Sequence, residues 1–436
     1  MAGIDSSRPV GRASILMGWI YTHNSGATGV AEILISVSLM LMFGFAMTRL
    51  TKLLRLPNVT AYIVTGILIG PYVLNIIPAS FIRGTDFLTD VALALIAFSV
   101  GEHLELAKLK KSGGKSAVIA LFEALTASLL IFVLMFVVLR LDLAFSIVLA
   151  VLASITAPVS TMMTIRQTGA SGDYVDTLLQ VIALDNVVGI IAYSIAIAMV
   201  PTLTREVAWG GIVSSVFQPI LLNLMLIALG VGFAWLLKVM TPTRRTTDNR
   251  LIIAVAFLIF FAGVSALFDV LPLLGCMTMG MVFANIEGHN KLFRQLNYFS
   301  PPILLLFFVR SGLNFDLSTL AEKGRVGPTS LVVVAILYLL VRLVGKYAGA
   351  FLGALVTGKS KAIRNYLGFA LIPQAGVAIG LAALCARQLS EDVGGTLQTI
   401  IVASSVLYEL IGPASAKLGL YLSGSYEPQK KNRSTI

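Results

Sequence analysis

Asp185 and Asn186 stand side by side in the apolar stretch Ala183-Leu184-Asp185-Asn186-Val187-Val188-Gly189, which continues to Val200. A carboxylate at the centre of a membrane helix costs about 2.5–3.5 kcal/mol on insertion scales, and the use most often found for one is an ion or proton pathway. The pair offers hard oxygens suited to a small cation, and the aspartate can take a proton instead. A structural salt bridge is the plainer reading. Lys346 lies equally deep in Arg342-Leu343-Val344-Gly345-Lys346-Tyr347-Ala348-Gly349, where the glycines let another backbone come close. Buried lysine titrates readily, so it can pair with Asp185 in the empty site and release its proton when a cation arrives. Snorkelling to the interface is its plainer alternative. Arg342, one turn earlier, can face the same space.

Two breaks accompany these charges. Ser154-Ile155-Thr156-Ala157-Pro158-Val159-Ser160-Thr161 places Pro158 inside an apolar run, where proline removes a backbone donor and clashes with the preceding turn. Leu371-Ile372-Pro373-Gln374-Ala375-Gly376 does the same with Pro373. Either could be a plain kink. Together, with Gln374 and Gly376 beside the second proline, they predict paired interrupted helices whose freed carbonyls and hydroxyls, Thr156 foremost, can face a cation. Glu123, read near the inner end of its span, Glu409, Arg310 and Glu102 are weaker candidates, and structural pairing or an interface position is favoured for each. His103, His289 and His23 read as solvated loop residues, and Cys276 and Cys385 as small apolar ones.

The elements that must position these groups are membrane helices. Hydrophobic residues make up 57% of the chain and charged residues 12%, against roughly 25% charged in soluble domains. Runs able to cross about 30 Å of hydrocarbon fall at 28–48, 58–76, 85–102, 116–139, 143–165, 175–200, 212–237, 251–269, 272–286, 300–315, 328–357, 363–386 and 393–420. The expected fold is an all-α membrane protein of about thirteen transmembrane helices. Arg49, Lys52, Arg55, Lys108, Lys110, Lys111, Arg244, Arg245, Lys359 and Lys361 fall in loops on one side. The positive-inside rule makes that the inner side, with the N-terminus out and the C-terminus in. This spread, rather than a basic patch, accounts for the pI near 9.7 and argues against a nucleic-acid partner. Met1–Asn24 does not read as a cleavable signal peptide.

The halves also echo one another. Leu56-Pro57-Asn58-Val59-Thr60-Ala61, leading to Gly66 and Gly70, matches Leu271-Pro272-Leu273-Leu274-Gly275-Cys276, leading to Gly280. Gly101-Glu102-His103-Leu104-Glu105-Leu106 matches Gly312-Leu313-Asn314-Phe315-Asp316-Leu317. The expected organisation is an outer N-tail at 1–27, a six-helix repeat at 28–200, a linker helix with loops at 201–250, an inverted six-helix repeat at 251–420 and a cytoplasmic C-tail at 421–436. Such repeats mark secondary transporters.

Taken in order, Leu56-Pro57 through Gly70, Thr156-Ala157-Pro158, Asp185-Asn186, Gly345-Lys346 with Gly349, and Leu371-Ile372-Pro373 give the chain a family likeness. Over roughly residues 30–420 it resembles the monovalent cation/proton antiporter superfamily, and within it the bacterial sodium(potassium)/proton antiporter branch. The resemblance implies a homodimer in the bacterial inner membrane, with a dimerisation domain and a core that moves like an elevator. It implies that two interrupted helices cross beside an acidic pair, with Thr156 at the crossing and Lys346 as the neutralising base. One position departs from the pattern. The family usually reads Asp-Asp or Asn-Asp, with the second residue acidic and treated as the main cation ligand, whereas here Asn186 follows Asp185. Either the first-position aspartate does the work, or the site is altered.

The expected activity is secondary antiport of a monovalent cation, Na⁺ with Li⁺ or K⁺ as further candidates, against H⁺. Cation and proton compete for Asp185, while Asn186 and the Thr156 region supply neutral oxygens. Exchange is one-for-one if Asp185 alone titrates, and two protons move per cation if Lys346 also does. The alternatives are an organic-anion symporter of related fold and a transport-inactive membrane sensor. No triad, metal cluster or phosphate loop stands out, so neither an enzyme nor a cofactor is expected.

Overall fold

The computed structural model describes residues 28–53, 58–102, 104, 106–111, 114–203, 209–242, 245–268, 272–287, 291–315, 325–326, 329–374, 376–388 and 391–426. The tail at 1–27, including His23, lies outside the described residues, as do Arg55, Leu56, Pro57, His103, Glu105, Arg244, Leu271, His289, Asp316, Leu317, Ala375 and 427–436.

Helices occupy each apolar window. The first four are α1 (Thr28–Leu53), α2 (Asn58–Ile69), α3 (Phe87–Gly101) and α4 (Lys115–Phe132), the last prolonged by a π turn at Val133–Val138. Next come α5 (Leu143–Ser154), α6 (Pro158–Thr168), α7 (Asp173–Leu203), α8 (Trp209–Met240) and α9 (Thr247–Leu267). The remainder are α10 (Leu273–Glu287), α11 (Pro301–Leu313), α12 (Leu331–Val356), α13 (Lys361–Ala370), α14 (Gly376–Gln388) and α15 (Glu391–Leu422). Short helices at Ala79–Gly84, Leu106–Lys111 and Lys291–Phe299 lie between them. Among the described residues, six helices are long and apolar enough to cross a membrane, and up to eight spans result if each of two bent pairs counts as one. Window 58–76 holds less helix than its hydropathy suggests. It stops at Ile69, because Gly70-Pro71 opens a turn in which Asn75 N donates to Gly70 O; proline cannot continue the donor ladder.

Local signals set the ends that matter for the site. The Asp142 carboxylate accepts from Phe145 N and starts α5, an N-cap that supplies one of the orphan donors. Pro158 is the first residue of α6, where a missing N–H costs nothing, and Gly169 ends that helix at φ +67°. Ser360 caps α13 through Ile363 N.

Two backbone crossings join the halves. Gly66 of α2 meets Gly312 of α11, and a Cβ on Gly66 would lie 2.8 Å from Gly312 Cα. Gly101 of α3 meets Gly280 of α10, and a Cβ on Gly101 would lie 3.0 Å from the Gly280 carbonyl carbon. Small residues permit this approach where helices have no hydrophobic drive to associate. Gly66→Ala is therefore expected to lower the thermal unfolding temperature of the detergent-purified protein by several degrees, as overpacking costs about 1–3 kcal/mol. An unshifted transition would show that the crossing yields freely. Outside the core, α1, α8 and α9 present Val30, Leu34, Phe45, Leu221, Trp235, Ile252 and Phe260, all more than half exposed. That is a surface suited to lipid.

Candidate functional site

The site is built where two helices fail to run through. Between α5 and α6 the chain is extended at Ile155 (φ −80°, ψ 131°) and at Ala157 (φ −79°, ψ 113°). Between α13 and α14 it is non-helical from Leu371 to Gln374. The two breaks lie against each other. Ala157 N donates to Pro373 O at 2.8 Å, Thr161 Oγ1 to Ala370 O at 3.0 Å, and Gln374 Nε2 to Leu152 O at 2.7 Å. The proline breaks thus find hydrogen-bond partners in one another, as buried backbone groups must.

Arg342 of α12 secures the rest. Its guanidinium is completely buried and donates to Ala153 O (2.8 Å), Ile155 O (2.7 Å) and Ile372 O (2.8 Å), carbonyls drawn from both breaks. Its flat face lies 4.6 Å from the Tyr408 ring centroid, a cation–π contact. Five donors in a fixed fork allow one side chain to serve three carbonyls.

One turn further on, Lys346 reaches the centre of the crossing. Its Nζ donates to Ser154 O, to Thr156 Oγ1 at 2.9 Å and to Asp185 Oδ2 at 3.2 Å. The Thr156 hydroxyl donates to the same Asp185 oxygen. Asn186 Nδ2 donates to Thr156 O (3.0 Å) and Ile182 O (2.7 Å), which turns its carbonyl end the other way. Thr156, Asp185, Asn186, Lys346 and Gln374 are all buried. Among the described residues no hydrogen-bond donor reaches Asp185 Oδ1 or Asn186 Oδ1. Two buried oxygens are thus left with nothing to accept.

Thr156, Asp185, Asn186 and Lys346 come together in direct contact, with Pro158, Pro373, Gln374 and Gly376 lining the paired breaks. The weaker candidates divide. Arg310 is engaged elsewhere, donating to Thr85 Oγ1, Thr89 Oγ1, Ile82 O and the Asp86 carboxylate. Glu102 lines a cavity. Glu409 lies in α15, and its side chain is outside those described. Glu123, for which structural pairing was one of the favoured readings, has such a partner in Lys346. It is completely buried, with Oε1 2.6 Å from Lys346 Nζ. The sequence held one signal for this, the Gly345–Gly349 spacing. Gly349 brings α12 so near α4 that a Cβ there would lie 2.6 Å from Glu123 Cα.

A helical bundle with a carboxylate–lysine centre at crossed chain breaks defines a multi-pass membrane transporter. Residues 15–411 match the family described as sodium/hydrogen exchanger, transmembrane, and the chain belongs to that family, one of transporters rather than enzymes. The sodium proton antiporter MjNhaP1 from Methanocaldococcus jannaschii, in a structure at pH 8, superposes with a TM-score of 0.71 at 17% identity, over 90% of this chain and 100% of that one. An electron-microscopy structure of the same antiporter gives 0.71 at 14% identity, over 90% and 98%. At such identities the likeness is one of fold. Cation/H(+) antiporter 19 of Arabidopsis thaliana is 33% identical over 97 residues, 20% of this chain and 12% of that protein's length.

Proposed function

We propose that this chain exchanges a monovalent cation, Na⁺ with Li⁺ or K⁺ as further candidates, for H⁺ by alternating access at Asp185. The observation that carries the reading is the pair of buried oxygens without donors, Asp185 Oδ1 and Asn186 Oδ1, next to an ammonium that already occupies Asp185 Oδ2. An unsatisfied buried acceptor costs about 1–3 kcal/mol. A dehydrated cation relieves both acceptors and takes over the charge compensation that Lys346 provides in its absence. Thr156 Oγ1, already bonded to Asp185 Oδ2, is a further oxygen beside the aspartate. Cation and proton exclude one another because the buried cluster tolerates only one added positive charge.

An entry route fits this reading. A cavity of about 300 Å³ is lined by Asn58, Glu102, Asn297 and Ser300, and also by Pro158 and Ser160 of α6. With the N-terminus outside, the first four lie at inner ends of spans, so the cavity leads from the cytoplasm towards the α5–α6 break. The thirteen-span inverted repeat is supported by the reciprocal crossings. The glycines to which the matched segments lead or with which they begin, Gly66 and Gly280, Gly101 and Gly312, are those that meet as Gly66–Gly312 and Gly101–Gly280. Placement as a homodimer in a bacterial inner membrane follows the sequence resemblance, and the family membership and the sodium proton antiporter fold agree with the activity.

Proton flux in proteoliposomes given Na⁺, Li⁺ or K⁺ tests the proposal, with Asn186→Asp in parallel. Flux in the parent protein with at least one ion is expected. A parent silent with all three ions but switched on by Asn186→Asp would show that Asp185 alone does not suffice.

A further inference from the structure

Glu123 is a second buried carboxylate on Lys346, and the exchange described above makes no use of it. One ammonium spans two acids from different helices, 2.6 Å from Glu123 Oε1 on α4 and 3.2 Å from Asp185 Oδ2 on α7. Two other buried charges are fastened by several hydrogen bonds, Arg342 by three carbonyls and Arg310 by two hydroxyls, a carbonyl and a carboxylate. Glu123 is not. Apart from the Lys346 ammonium, no described donor reaches either of its oxygens. A carboxylate held by a single movable partner is poorly built as a fastening and well built to change state. The charged groups around it are Lys346 and Arg342 from α12 and Asp185 from α7, while α5, also packed on α4, contributes none.

We propose that Glu123 carries the exchanged proton while Asp185 holds the cation, an inference that rests on the antiport reading above. With a cation on Asp185 and Asn186, Lys346 turns to the Glu123 carboxylate. As the cation leaves, Lys346 returns to Asp185, and a proton from water forms an O–H bond on Glu123. The next cation drives Lys346 back to Glu123, and that proton departs to water. Lys346 stays protonated throughout. Arg342, fixed by its carbonyls, takes no part. Both end states carry the same charge, so one proton moves per cation and exchange is electroneutral. Glu123 thereby supplies the second acid that Asn186 does not.

The test is the pH dependence of the apparent KM for Na⁺ in Na⁺/Na⁺ exchange, followed with labelled Na⁺ in proteoliposomes, for the parent, Glu123→Gln and Glu123→Asp. Competition with one proton raises the parent's KM by about tenfold per pH unit on the acid side. Glu123→Gln imitates the protonated state, so its KM is expected to be at least about tenfold higher and nearly independent of pH. Glu123→Asp is expected to restore the slope. A Glu123→Gln protein that keeps the parent's slope would overturn the proposal, since the proton would then compete at Asp185 itself. So would loss of all flux in both Glu123 variants, which would make Glu123 a structural residue. Failure of the antiport reading looks different, because the parent itself would then show no cation-dependent proton flux.

Discussion

Asp185→Ala is expected to reduce cation-dependent proton flux by at least about a hundredfold, the factor that roughly 2.7 kcal/mol of lost interaction produces. Asp185 is the one carboxylate that both shares a helix with Asn186 and receives the Thr156 hydroxyl at the crossing. Without it the cation meets only neutral oxygens, and Lys346 has no reason to release its place. The fold is expected to survive, because Lys346 keeps Glu123 as a counter-charge and Ser154 O and Thr156 Oγ1 as acceptors. Thermal unfolding within a few degrees of the parent, beside absent flux, would separate loss of the site from loss of the protein. Flux within about tenfold of the parent would move the cation site off Asp185.

Arg342→Met should act in the opposite way, on stability before transport. Removing the guanidinium strands three buried carbonyls, Ala153 O, Ile155 O and Ile372 O. At about 1–3 kcal/mol for each unsatisfied group, the loss is on the order of 3–9 kcal/mol. It also leaves Asp185 and Glu123 with Lys346 as the remaining neighbouring cation. A large drop in unfolding temperature, or failure to purify as a monodisperse species, is the expected outcome. Arg342→Lys should recover only part of it, because one ammonium cannot present the guanidinium's planar fork to carbonyls on two separate breaks. A methionine variant that unfolds at the parent's temperature would show that the crossing holds itself together without the arginine.

The contrast between these residues shows where local information ends. Asp185, Lys346, Pro158 and Pro373 were legible in the sequence because their cost is paid locally. A charge inside an apolar run and a proline inside a helix are anomalous whatever surrounds them. The membrane class followed from the same patterning, and the family likeness was carried by the motifs taken in order. Hydropathy was weaker on extent. The window at 58–76 counts apolar residues alike whether they form helix or, after Gly70-Pro71, a turn. The partners of Glu123 and Arg342 were beyond such a reading. In sequence, Glu123 is one acidic residue in a span and Arg342 one basic residue in another. Their roles depend on the register of α4 against α12, set where Gly345, Gly349 and Gly353 lie on Ala127, Glu123 and Ile119. They depend equally on which carbonyls the two breaks turn towards α12. Burial cost belongs to a residue and its neighbours along the chain, so the sequence by itself determined which groups must be compensated. Tertiary packing decided which partner compensates each of them, because hydrogen bonds and ion pairs form between helices far apart in sequence.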